Sequence, residues 1–518
     1  MIVFNKKKNI NINLVYLLIL FIFSFSINFY YAGLGSFPID TFLHYDSSSR
    51  ILKGELPIRD FWIVSGLTVD LFQSFFFKIF GVNWFAYIIH SSLFNSLMAL
   101  IVYFFFLNEG LSNKVSLIFS LSFATLSYTV SGTPFVDLHA SFLLLISTLL
   151  IINNFNSDKN YLWPIIIFLL FLSFFSKQVP VAYASLIYSI ILIYYFLFKK
   201  DYKKIIISLI SITILITLFY FFLKFCKIDF DSFYIQYIDY PRSIGSERLT
   251  NFNLTFESFF NKYKFIIIPF FILIFIHLKK GKNIEKKISF LILSSFVIIL
   301  IFHQLMTKNQ IYIYFLIPLL FGLIEKELQL SQIKYKRYFS YCLIILISLI
   351  TIKYHLRFNE NRKFHELTKK DIEQSIKAET IHHSLKGLYW KNPHFNGTTS
   401  NEVNLLNKAK ETLMRSDYKN IMLITHYQFL DSITEKKLLY PNKTFTLDGA
   451  SMPLIGNKHF ENYKNFLEKK IIASKVDKVL FFKSENISKK VLTNYIDKDC
   501  YQFYESEIFY IYRLTCFK

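Results

Sequence analysis

The chain has 518 residues, 53% of them hydrophobic and 19% aromatic, with a formal net charge of +22. With a mean hydropathy of +0.37, that composition excludes an ordinary soluble enzyme and predicts a polytopic membrane protein. The basic residues punctuate apolar runs and form no stripe beside a nucleic-acid fold, so membrane topology and lipid head groups account for the charge, and no nucleic-acid partner is expected.

Lys6, Lys7 and Lys8 precede an apolar run at 14 to 32 that is too long for a signal-peptide core. It is expected to be a retained first span with a cytoplasmic N-terminus. Ten more runs follow, near 84 to 106, 115 to 132, 138 to 153, 162 to 176, 180 to 198, 205 to 225, 264 to 278, 287 to 303, 311 to 324 and 338 to 353. Alternate counting of about eleven spans places KKDYKK (199 to 204), HLKKGKNIEKK (277 to 287) and the connection ending in KYKR (334 to 337) inside, as the positive-inside rule requires. The expected fold class is an α-helical polytopic membrane protein with a C-terminal α/β domain. Residues 1–353 form the transmembrane domain, with a first outer loop at 33–83, and 354–518 form an extracytoplasmic soluble domain.

The first outer loop contains SFPIDTFLHYDSSSRILKGELPIRDFW at 36 to 62. Pro38 suits a first helical turn, Gly54 and Pro57 supply a stop, and Ile39, Phe42, Leu43, Ile51 and Leu52 recur at helical spacing. The pattern predicts an amphipathic helix lying on the membrane surface. Asp40 and His44 share one face of it, and Asp46 and Arg50 another. Asp46 with Arg50, and Arg59 with Asp60, are expected as local salt bridges.

Later outer breaks carry more polar chemistry: Asp137 and His139 in GTPFVDLHA, Lys177 and Gln178 in SKQVP, Arg242 and Arg248 in the loop from 226 to 264, and His303, Gln304 and Lys308 in HQLMTKNQ. These breaks are expected to converge with the first loop on one face. Two aspartates (Asp40, Asp137) and two histidines (His44, His139) from separate loops can hold a divalent cation. No other cofactor is expected. Plainer roles stand beside these: Asp40 and Asp137 as helix caps, and Lys177 as a lysine snorkelling to the interface.

In the tail, NIMLITHY (420 to 427) and VDKVLFF (476 to 482) read as buried strands. Helical patterns stand near 401 to 415 and 458 to 471, and an aromatic hairpin near 501 to 513. Cys226, Cys342, Cys500 and Cys516 lack metal-ligand spacing, and Cys500 can pair with Cys516 in an oxidising compartment.

Asp40, then Ser49, Arg50, Ile51, Leu52, Gly54, Leu56, Pro57, Arg59, Asp60 and Phe61, then FFFKIFGVNWFAY at 75 to 87, together resemble the first extracytoplasmic loop of the C-type (GT-C) glycosyltransferases. That superfamily includes the protein O-mannosyltransferases and the aminoarabinose transferases of lipid A. One departure is that Ile63, Val64, Ser65 and Gly66 stand where many members have a Lys-Pro-Pro motif, so a lysine near the lipid phosphate is missing or supplied elsewhere.

The resemblance implies transfer of a sugar from a polyprenyl-phosphate donor to a glycan, lipid or protein acceptor on the outer face of the inner membrane. It implies an inverting direct displacement, with Asp40 as base and Asp137 as a second carboxylate for the acceptor or a metal. Lys177, Gln178, Lys308 and Arg242 are candidates for the donor phosphate, and Trp62 and His303 for the substrate. The alternative is a multi-span transporter or lipid flippase; transporters place polar residues at the bilayer midplane, whereas the charges here fall at outer helix ends.

Overall fold

An apolar run in a bilayer must satisfy its backbone polar groups within itself, which favours helix, and each of the eleven expected runs holds one. The computed structural model describes residues 13–516 apart from 251, 253–254, 280–282, 309–310, 416–419, 435 and 484–490. Lys6 to Lys8, and parts of the segments 277–287 and 303–310, lie outside the described residues.

The helices in chain order begin with α1 (Leu14–Ala32), α2 (Pro38–Thr41), α3 (Leu43–Leu52), α4 (Leu67–Phe80) and α5 (Trp84–Asn108). Next come α6 (Asn113–Leu126), α7 (Val136–Ser157), α8 (Leu162–Ser176), α9 (Gln178–Phe198) and α10 (Tyr202–Phe225). The short α11 (Phe230–Tyr234) and α12 (Tyr240–Thr250) lead to α13 (Lys262–Lys279), α14 (Ile284–Met306), α15 (Leu316–Leu330) and α16 (Lys336–His355). Among the described residues, eight helices are long and apolar enough to cross a membrane: α1, α5, α7, α9, α10, α13, α14 and α16, with α13 and α16 extended at one end. Helices α6, α8 and α15 have 14, 15 and 15 residues, shorter than the ~20 a span requires. The chain is therefore a polytopic helical protein.

Contact density groups the chain differently from hydropathy. One unit comprises Met1–Ala32, Ile88–Tyr220 and Arg248–Phe364; the other comprises Gly33–Tyr87, Phe221–Glu247 and His365–Lys518. In the first unit α7 is the most enclosed of the eight apolar helices, while the apolar window of α10 is almost wholly exposed. Phe123, Phe142 and Phe315 interlock at its centre. Small polar side chains join the helices: the Asn28 amide donates to Ser91 Oγ, Ser92 Oγ and the Gly132 carbonyl at 3.0 to 3.2 Å. Such bonds hold helices together where no hydrophobic drive separates protein from lipid. Gly132 has φ +75°, and a Cβ there would fall 2.6 Å from Ala32 Cα. Only glycine fits that approach.

The second unit is built on a five-stranded sheet. Helix α17 (Lys369–Glu373) precedes a separate ribbon of strands β1 (Ile376–Lys377) and β2 (Tyr389–Trp390), and α18 (Thr399–Arg415) follows it. The sheet holds β3 (Ile421–Ile424), β4 (Leu438–Leu439), β5 (Lys478–Phe482), β6 (Tyr501–Glu505) and β7 (Phe509–Leu514) in the order β4-β3-β5-β7-β6. Strand β3 is parallel to β4 and β5, while β5, β7 and β6 run antiparallel in turn. Helices α19 (Leu430–Ile433) and α20 (Phe460–Ala473) complete it. Both expected strands, both helices and the hairpin are present, and Cys500 and Cys516 are joined by a disulfide across the hairpin base.

The first loop belongs to this unit's core. The Trp62 N–H donates to the Pro441 carbonyl, and the Lys443 N–H to the Trp62 carbonyl, both at 2.8 Å. The expected surface helix is instead two helices broken at Phe42, and every residue from His44 to Arg50 is buried. An amphipathic pattern records only that two faces differ. Here the polar face is covered by the tail.

Candidate functional site

A buried polar network lies in the second unit, on α3, α4 and the segment after β4. His44 Nδ1 stands 2.6 Å from Asp70 Oδ1, and Ser47 Oγ donates to the same oxygen at 2.5 Å. Lys443 Nζ donates to Asp70 Oδ2 at 2.6 Å and to the Ser65 carbonyl at 3.0 Å. Burial alone would raise the Asp70 carboxyl, but the Lys443 ammonium and His44 hold it below its ordinary value. Burial, with Lys443 beside it, pushes the His44 imidazole down to about 4 against the pull of Asp70. The neutral ring then gives its Nδ1 proton to Asp70, and Nε2 is a buried acceptor without a hydrogen-bond partner. The bond to the carboxylate fixes the tautomer and the orientation of the ring.

Arg50 is held beside this network by its Nε on Glu55 at 2.8 Å and its Nη2 on the Tyr440 carbonyl at 2.8 Å, with the guanidinium 3.9 Å above the Phe61 ring. The expected Asp46 pairing is loose, at 3.9 Å. Burial keeps the Asp46 carboxyl well above its ordinary range despite Arg50, favouring the neutral acid. Arg59 and Asp60 do pair, at 2.6 Å. Asp40 sits half-buried in the first turn of α2. The N-cap is Phe37, whose N–H is taken by Thr41 Oγ1 at 2.9 Å. Trp62, expected as a stacking surface for substrate, is enclosed by Tyr240, Tyr463 and Phe466. Its ring is spent on the core. Arg242 is exposed on α12.

The first unit brings three predicted residues together. Asp137, at the start of α7, receives Lys177 Nζ at 2.6 Å on one oxygen and lies 3.0 Å from His303 Nε2 on the other. Lys177 comes from the break between α8 and α9, and His303 from the last turn of α14. Three apolar helix ends thus share one charged cluster, and a lysine in such a setting requires a partner or a task. Next to His303, both amide atoms of the buried Gln304 lack a hydrogen-bond partner. Gln178 opens α9, half-buried, and Lys308 is exposed just past α14.

His139 is engaged by Tyr128 Oη at 2.5 Å and His90 Nε2 at 3.0 Å, and His44 by Asp70. Among the described residues no group of three or more His, Cys, Asp or Glu side chains could hold a metal ion.

Sequence reasoning missed Asp70 and Lys443. Asp70 is the one charge in the first turns of α4, a signal of the kind that singled out Lys177. Lys443 stands among exposed-looking lysines and carries no such signal. No protein-family model matches the chain, and no curated protein matches it significantly.

Proposed function

We propose that the chain is an integral-membrane glycosyltransferase of GT-C type, using a polyprenyl-phosphate-linked sugar and a glycan, lipid or protein acceptor. The observation that carries this reading is the position of Asp40: half-buried on a short helix that follows the first apolar helix after a five-residue link, and opening the segment that resembles the GT-C loop. In the proposed reaction the acceptor oxygen or nitrogen attacks the anomeric carbon and its proton passes to Asp40. The bond from sugar to phosphate oxygen breaks with inversion, and polyprenyl phosphate leaves. Fixed cations are needed for a departing phosphate, and Lys177 is the cation this reading assigns. About eleven spans, a cytoplasmic N-terminus and an extracytoplasmic tail in the inner membrane complete the proposal. The Cys500–Cys516 disulfide supports that placement of the tail, since such bonds persist in oxidising compartments.

The test is transfer from radiolabelled polyprenyl-phosphate sugars to endogenous acceptors, in membranes carrying the wild type or Asp40→Asn at matched expression. Label should move with the wild type and fall about a hundredfold in the variant, the loss typical for an acid–base catalyst. Equal transfer by both would remove Asp40 from the chemistry. Absence of transfer with every donor would favour the transport reading.

A further inference from the structure

At another place in the first unit, five helices end or begin around a cavity of about 460 Å³. Helix α7 stops at Ser157, α8 starts at Leu162, α9 stops at Phe198, α10 starts at Tyr202 and α14 starts at Ile284. Four of these five are long and apolar enough to span. Their common ends mark the depth at which acyl chains give way to head groups. The volume lies in the ~300 to 1,000 Å³ range of small-ligand sites.

The walls are amphipathic. Trp163, Tyr195 and Phe196 form the apolar part, and around them stand Lys199, Lys200 and Lys204 against Asp158, Asp201 and Glu285. Lys204 bridges Asp158 and Asp201, and Lys199 reaches Glu285 at 3.2 Å. Lys200 is exposed and makes no ion pair among the described residues. The indole N–H of Trp163 is buried and meets no acceptor, while its ring stands edge-on to Phe196 at 5.0 Å. A buried donor without an acceptor is costly unless something else supplies one.

Three ammonium groups face three carboxylates, so a purely anionic ligand would meet as much repulsion as attraction. A zwitterion satisfies both sets. A primary amine has protons to donate to the carboxylates, where a quaternary one has none. The apolar window of α10, almost wholly exposed, offers a surface along which acyl chains can lie. We propose that this cavity binds the head group of a zwitterionic, amine-bearing glycerophospholipid, its phosphate toward Lys200 and the Trp163 N–H and its ammonium toward Asp158 and Glu285.

The experiment is native mass spectrometry of the full-length chain released from nanodiscs containing equal parts of phosphatidylethanolamine, phosphatidylcholine and phosphatidylglycerol. Phosphatidylethanolamine should be retained at least about fivefold over either other lipid. Trp163→Phe keeps the ring and removes the donor; Lys200→Gln changes an exposed side chain that folding does not need. Each should lower retention at least about threefold, the scale of one lost hydrogen bond. Lys159→Gln, outside the cavity, should leave it unchanged. Equal retention of all three lipids, preference for phosphatidylglycerol, or indifference to both cavity variants would overturn the proposal. Displacement by soluble glycerophosphoethanolamine at the lipid's own concentration would also overturn it, in favour of a soluble ligand.

Discussion

Lys443 Nζ stands 2.6 Å from Asp70 Oδ2, tying together two buried side chains 373 positions apart in the chain. Removing the cation leaves the buried carboxylate only its neutral donors His44 and Ser47, and breaking a buried ion pair typically costs about 3–5 kcal/mol. Lys443→Met should therefore lower the thermal unfolding temperature markedly. Lys443→Met with Asp70→Asn should lose less than the sum of the two single changes, because the partners share one interaction. Thermal unfolding of the four proteins in one detergent checks both statements, and strict additivity would deny the pairing.

His44 makes stability depend on pH. Its folded value is about 4, below the ordinary imidazole value of about 6.5. The unfolded chain therefore takes up the proton first as pH falls. Stability from this group is present above pH ~6.5 and lost progressively toward pH ~4, by about 3 kcal/mol in total. Asp46, whose value is raised, contributes in the opposite direction, so the informative quantity is the wild type minus His44→Gln. That difference should slope between pH 4 and 6.5 and be flat above 7.

Gly132→Ala should destabilise the first unit by about 1–3 kcal/mol, through positive φ strain and overpacking combined. The new methyl group would press on the backbone of Ala32. Ala32→Gly in the same chain should restore little, since the blocked atoms include the Ala32 Cα and N. Unfolding midpoints of the two variants give the answer.

The cysteines should fall into two classes. Without reductant, a maleimide should label Cys226 and Cys342 after denaturation and leave Cys500 and Cys516 unlabelled. Cys500→Ser should lower stability by about 2–4 kcal/mol, as expected for opening a loop of this size. Peptide mapping and unfolding of the variant measure the two effects.

Asp137→Asn removes the charge shared by Lys177 and His303. If Lys177 serves the donor phosphate, the variant should change the KM for the lipid-linked sugar several-fold while leaving the protein in the membrane. A transfer assay over a range of donor concentrations separates KM from kcat.

The helices and the tail were legible because their signals are local. Each apolar run announced a helix, and the tail's β3, β5, α18, α20 and hairpin appeared where periodicity put them. Helix α4 was passed over because Asp70, Gln73 and Ser74 interrupt its apolar pattern with side chains that the fold buries. Asp137, Lys177 and His303 were each suspected separately from their place at helix ends, and the fold joined them. Trp62 was open to two readings, packing or stacking on a sugar, because an aromatic ring looks the same in sequence in either place, and its burial answers for packing.

What the sequence by itself determined is where the chain becomes helix or strand, since periodicity and the apolar length of a run are properties of neighbouring residues. Only tertiary structure decided which polar groups meet. His44 finds Asp70 at 26 positions' distance, and Arg50 and Asp70 find Tyr440 and Lys443 some 390 and 373 positions away. Burial turns those meetings into large energies, because a charge removed from water must be compensated by whichever group the fold brings beside it.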